Sequence, residues 1–202
     1  NGTRFTVVAT ATDGEGNDYR EEIAMRVKNE IERPIATETD LLAIWTGNNP
    51  DSIARMQNHY KLTANIRLTA DWKAIGFKGG DAYEQFNGNF NGGGYTISNF
   101  NMNAGWNSGF FYYIGENGVV ENLTLESDKG EGKGLSGMYA GPFAGYMFGT
   151  VRNCVADVRV TALPNGLSIV QPISTFLGTV GDVGRIINCF AYGQAYAAAG
   201  TR

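Results

Sequence analysis

Four short segments of this chain share one pattern: an apolar residue, any residue, Asn, then another apolar residue. They are Ile97-Ser98-Asn99-Phe100, Val120-Glu121-Asn122-Leu123, Val151-Arg152-Asn153-Cys154 and Ile186-Ile187-Asn188-Cys189. Met102, Leu125, Ala156 and Ala191 follow two positions later. Phe111, Phe143 and Phe176 precede the later three segments, with Gly145 and Gly178 just after the last two phenylalanines. The asparagines recur after 23, 31 and 35 residues. Self-similarity at this period, in a chain rich in glycine and β-formers, points to stacked coils.

The residue types suit that geometry. Each coil adds one rung to each parallel sheet, about 4.8 Å above the last. Glycine permits the turn dihedrals, and Asn tolerates the left-handed conformation while its amide bonds nearby backbone. We therefore expect Asn99, Asn122, Asn153 and Asn188 to form one structural ladder, with their apolar neighbours stacked inside. Unequal spacing is absorbed by loops, chiefly Asp128–Tyr139 and Ala162–Pro172. Composition agrees: 28 glycines, 12% aromatic and 18% charged residues fit an all-β chain with tight turns.

Residues 1–29 read as a β-hairpin. Phe5, Val7, Ala9 and Ala11 alternate with more polar neighbours, Asp13 to Asp18 form a turn cluster, and Ile23, Met25 and Val27 alternate again. Residues 30–36 read as a linker. Thr37 then opens a helix over about 38–46 as its N-cap, with Asp40 as the capping-box acid. Pro50 starts a second short helix through about Met56. Tyr60-Lys61-Leu62 and Ile66-Arg67-Leu68 read as strands.

Two family resemblances add to this reading. Gly2-Thr3-Arg4-Phe5-Thr6-Val7 and Thr10-Ala11-Thr12-Asp13-Gly14-Glu15-Gly16-Asn17 resemble the last strands of Ig-like and cadherin-like modules of bacterial surface proteins. That implies a sequence beginning inside a larger modular protein. Ala140-Gly141-Pro142-Phe143-Ala144-Gly145 with Gly149-Thr150-Val151-Arg152-Asn153-Cys154 resembles the GLUG-motif family of bacterial surface and secreted proteins. Trp72 to Gly76, Phe86 to Gly92 and Gly94 to Phe100 look like that family's first coil. The resemblance covers roughly residues 36–200. It implies an all-β fold: a short right-handed parallel β-helix with an N-terminal capping helix, here preceded by the hairpin. It also implies an extracellular or cell-surface location, and it carries no catalytic residue set.

The function expected is a non-catalytic structural or adhesive module. Carbohydrate binding is the alternative, and a β-helix polysaccharide lyase or hydrolase the second. For the carbohydrate alternative, Trp106, Tyr112 and Tyr139 stand out from a dense aromatic set as residues that could stack on sugar rings. Catalysis has little support. His59 is the single histidine, which excludes a two-His metal motif. The acids Asp71, Asp81, Glu84, Glu121, Glu126, Asp128, Asp157 and Asp182 do not read as recurring at equivalent positions. Asp13, Glu15, Asn17 and Asp18 place oxygens at alternate positions, which calcium could use, although a plain hairpin turn is the favoured reading. No other cofactor is implied. Cys154 and Cys189 should be neighbours on adjacent rungs, read as free, apolar thiols because parallel side chains point the same way. A net charge of -4 offers no basic stripe for nucleic acid. No apolar run approaches the roughly 20 residues of a membrane span. Partners are expected among other domains of the same chain, or a surface or glycan.

Overall fold

The computed structural model describes residues 4–26, 31–47, 49–79, 82–128, 130–162 and 173–197. The chain divides into two compact units, Asn1–Ile31 and Glu32–Arg202. The first holds β1 (Arg4–Thr12) and β2 (Asp18–Arg26), paired antiparallel from Arg4↔Arg26 to Thr12↔Asp18.

The second unit is a parallel β-solenoid of about five turns. It begins with β3 (Glu32–Ile35), α1 (Glu38–Leu42) and α2 (Pro50–Arg55). Residues 32–35, read from sequence as linker, instead form a strand that pairs with β4 (His59–Leu62). The first coil continues through β5 (Ile66–Arg67) and is interrupted by an antiparallel hairpin, β6 (Phe77–Gly79) with β7 (Ala82–Glu84). The bridges Ile75↔Phe111 and Phe86↔Ile114 flank that hairpin and keep the coil in register.

Each of the next three coils has four sides. They are β8 (Asn89–Asn91), β9 (Thr96–Ser98), β10 (Met102–Ser108) and β11 (Phe111–Ile114); β12 (Val119–Glu121), β13 (Thr124–Glu126), β14 (Leu135–Ala140) and β15 (Ala144–Met147); and β16 (Thr150–Arg152), β17 (Val155–Asp157), β18 (Val160–Ala162) and β19 (Leu177–Val180). The last described coil holds β20 (Arg185–Ile187), β21 (Phe190–Ala191) and β22 (Ala195–Ala197). Like sides stack into parallel sheets, the deepest running β20-β16-β12-β8-β4-β3. The segment Asp128–Tyr139, expected as a loop, contains most of β14; residues 163–172 of the other expected loop lie outside the described residues.

Parallel register puts each inward side chain on its counterpart. One column runs Tyr60, Phe90, Val120, Val151, Ile186, and another Ile66, Ile97, Leu125, Ala156, Ala191. The lower coils are filled by rings: Phe86, Phe90, Phe100, Phe110 and Phe111 are fully buried, and Trp72 lies flat on Phe110 with centroids 4.7 Å apart. The Trp72 indole N–H donates to the Phe110 carbonyl at 3.0 Å, so its polar edge is satisfied inside the core. Higher coils carry fewer rings, Phe143 and Phe176, among smaller residues such as Val151, Ala156 and Val160.

The register also moves one sequence alignment by a residue. Phe111 pairs with Ala144, so Phe110 is the counterpart of Phe143. One corner requires glycine for space. A Cβ on Gly149 would meet the Gly118 carbonyl oxygen at 2.1 Å, and a Cβ on Gly118 would meet the Phe86 oxygen at 2.3 Å.

Alpha helix α1 shows why its sequence starts there. The Thr37 hydroxyl accepts from the Asp40 amide while the Asp40 carboxylate accepts from the Thr37 amide at 2.9 Å. The helix is shorter than the expected 38–46. Glu38 accepts from the amide and hydroxyl of Thr69, tying α1 to the segment after β5. Leu41, Ile44 and Met56 are buried in the core.

Burial along one column sets a testable contrast. Phe90 is 0% exposed and Ile186 49%. Phe90→Ala should cost about 3–5 kcal/mol, and Ile186→Ala under about 1 kcal/mol, in urea unfolding. Equal costs would contradict the stacking order.

Candidate functional site

Two exterior features carry side-chain chemistry: the polar corners and one aromatic face. The corners follow from backbone shape. Asn99, Asn122, Asn153 and Asn188 all have positive φ, between 51° and 57°. Asn tolerates this left-handed region better than other side chains because its short amide bonds locally.

Three of the four stack. The Asn188 amide donates to Asn153 Oδ1 at 2.9 Å, Asn153 to Asn122 Oδ1 at 3.2 Å, and Asn122 to Asn91 Oδ1 at 3.1 Å. Asn99 is not in this column. It follows β9 and so occupies the next corner, where its amide donates to the Leu68 carbonyl at 2.7 Å. Ile97 pairs with Leu125, not with Val120. Gly92 takes the ladder corner in that coil, because a Cβ there would meet the Asn122 carbonyl oxygen at 2.4 Å. Asn91, Asn122, Asn153 and Asn188 therefore form the ladder, and Asn91 is the member the repeat pattern missed.

The aromatic face lies outside β11 and β15. Tyr113 and Tyr146 are register partners with rings nearly parallel, 5.8 Å apart. Phe148 lies parallel to Tyr113 at 5.4 Å, and Tyr139 stacks on Tyr146 at 5.6 Å. All four are half-buried. A groove of about 300 Å³ opens beside them, lined by Gln85, Asn87, Tyr113, Glu116, Asn117 and Phe148. Asn87 Oδ1 accepts from the Asn117 amide at 3.4 Å, which fixes one amide at the groove's edge. Aromatic walls with amide and carboxylate groups suit a polyhydroxyl ligand: ring carbons meet its apolar face while amides pair its hydroxyls.

The three residues singled out from sequence do not gather there. Tyr139 joins the stack. Tyr112 instead lines a second cavity of about 580 Å³ with Trp45, Trp72, Lys73 and Leu42. The Trp106 side chain lies outside the described residues; its backbone pairs with Met138 at a register irregularity. Phe148 was missed entirely, and Tyr113 with Tyr146 could be paired only once coil register was known.

Several acids are engaged by neighbouring groups. Glu121, 9% exposed, accepts from Arg152 at 2.7 Å and 2.8 Å and from the Asn89 amide at 3.1 Å. One acid pair does recur at equivalent positions, contrary to the sequence reading: Glu126 and Asp157 are register partners in β13 and β17. In the hairpin turn, Asp13 accepts from the amides of Glu15 (2.9 Å) and Asn17 (2.8 Å), the Asn17 side chain (3.0 Å) and the Tyr19 hydroxyl (3.1 Å). Asp18 accepts from the Thr12 hydroxyl at 2.6 Å. Asp13 thus serves as the turn's own acceptor. Among the described residues, no cluster of three or more His, Cys, Asp or Glu is placed to hold a metal ion.

No family model matches the chain, and no solved structure matches it. The chain is similar to a protein of Evansella cellulosilytica named as a Gly-rich membrane protein, 34% identical over 109 residues, covering 50% of this chain and 12% of that protein. It is also similar to halomucin of Haloquadratum walsbyi, 30% identical over 149 residues, covering 60% of this chain and 2% of halomucin. The chain thus spans only a small fraction of the length of the relatives it matches. Among the described residues, no helix is long and apolar enough to cross a membrane.

Two predictions follow from the corners and the turn. Asn153→Ala should cost about 1–2 kcal/mol for the left-handed backbone plus about 1 kcal/mol for lost ladder bonds. Asn153→Gly should recover the backbone part alone, so equal unfolding midpoints for the two variants would contradict this account. Hydrogen bonds from Asn17, first through its side chain, lower the Asp13 carboxyl to about 2 from an ordinary 3.8. A depressed carboxyl stabilises the turn above its ordinary value and loses that support as pH falls through the folded one. The Glu15 and Asn17 amide signals should therefore titrate near pH 2 in NMR; a midpoint near 3.8 would refute the bonding.

Proposed function

We propose that this chain is a non-catalytic structural segment of a cell-surface or secreted protein. It would act as a short, stiff stack of coils that spaces or presents neighbouring regions. The observation that carries this reading is the solenoid itself: its backbone and most of its corner side chains are spent on coil-to-coil bonding. The relatives support a surface setting, since one is named as a membrane protein and the other as halomucin, and in both the similar region is a small part of a long chain. The GLUG-like pattern, the right-handed sense usual for strand crossovers, the capping role of α1 and α2, and the Ig-like origin of residues 4–26 belong to the same proposal.

A second reading is carbohydrate binding at the groove beside Tyr113. The aromatic walls and the amides of Gln85, Asn87 and Asn117 favour it.

One set of measurements separates the readings. The structural reading expects a blank glycan array and no turnover of anionic polysaccharides. Sugar binding in the wild type that falls at least about tenfold in Tyr113→Ala would move the assignment to the second reading. Cleavage lost in Glu126→Gln or Asp157→Asn would overturn both.

A further inference from the structure

Cys154 and Cys189 occupy the same corner on successive coils. Val151 pairs with Ile186, which places each cysteine three residues beyond a matched pair. The amide following Cys189, that of Phe190, donates to the Cys154 carbonyl at 2.9 Å. One position earlier, the ladder bond from Asn188 to Asn153 holds the register. Both cysteines are free. Cys154 is buried, and Cys189 is half-buried on the last described coil.

Rung spacing of about 4.8 Å falls inside the Cα separation of about 4.4–6.8 Å that a disulfide spans. In-register side chains on two fixed strands point alike, which opposes closure. Yet Cys189 Sγ already leans onto the coil beneath, donating to the Val151 carbonyl at 3.5 Å. Phe190, beside Cys189, is 55% exposed, and Ile187 is 48% exposed. The flank of Cys189 is therefore open to a solvent-borne reagent.

We propose that Cys154 and Cys189 form a thiol–disulfide exchange site that locks the last described coil onto the coil beneath, with a small-molecule disulfide as oxidant. Cys189 is the attacking thiol. Its hydrogen bonding with Cys154 lowers it below an ordinary cysteine, which raises its thiolate share relative to Cys154. Cys154 is pushed up by that same bond and by burial, which keeps it protonated until the second step. The Cys189 thiolate attacks one sulfur of the disulfide, forming a mixed disulfide and releasing one thiolate. Cys154 then gives up its proton and attacks Cys189 Sγ, releasing the second. Two protein thiols are oxidised, one external disulfide is reduced, and two external thiols leave with the two protons.

The test treats the full chain with oxidised glutathione and reads intact mass and titratable thiols after denaturation. The expected result is loss of two hydrogens and of both thiols, with no adduct retained. Cys154→Ser should keep a glutathione adduct on Cys189, and Cys189→Ser should stay unmodified under the same exposure. Hydrogen exchange in β20 and β21 should slow once the bond closes. A lasting adduct on the wild-type chain, a bond between two chains, no reaction, or an equally reactive Cys189→Ser variant would each overturn the proposal. The wild-type mass alone decides the first three, whether or not the variants fold.

Discussion

Parallel, in-register stacking is the constraint on which this structure depends. The backbone amides and carbonyls of one coil are satisfied by the coils above and below, so each residue must tolerate its own counterpart as a neighbour. The apolar columns, the asparagine ladder, the Gly118 and Gly149 corner, the Tyr113–Tyr146 stack and the cysteine pair all express that one requirement. One charged pair obeys it as well, although Glu126 and Asp157 do not. Arg152 sits over Glu121 rather than over another cation, since like charges directly opposite are destabilising.

Much of the stacking was legible in the sequence, because coil-to-coil repetition leaves the same residue types at a near-constant period. Its misreadings have one physical source. A four-sided coil has several corners, and the one at Asn99 adopts the same left-handed backbone as the ladder corner. Asn99 and Asn122 share that conformation, with φ of 57° and 54°, yet they belong to different corners. Only the short spacing of 23 residues betrays this, whereas true ladder neighbours lie 31, 31 and 35 apart. The shift from Phe111 to Phe110 is similar: adjacent phenylalanines are both buried, and local pattern does not rank them.

The aromatic groove was less legible, for a different reason. Gln85, Tyr113 and the Tyr146–Phe148 segment come from three coils and converge only through register. The Glu126 and Asp157 pair was hidden in the same way, because the coil length needed to align them is set by insertions at other corners. Residues 32–35 were masked by composition: a proline and two charges suggest a tether, yet an outermost strand accepts both.

The core thins along the stack, from five buried phenylalanines below to Phe143 and Phe176 among Val151, Ala156 and Val160 above. Cohesion is therefore graded along the axis. Under tension or heat such a column should loosen first where it is lightly filled, one turn at a time, while the ring-packed coils stay wound. The molecule would then yield progressively and rewind from an intact seed, as a spring does when only its slacker turns are drawn out.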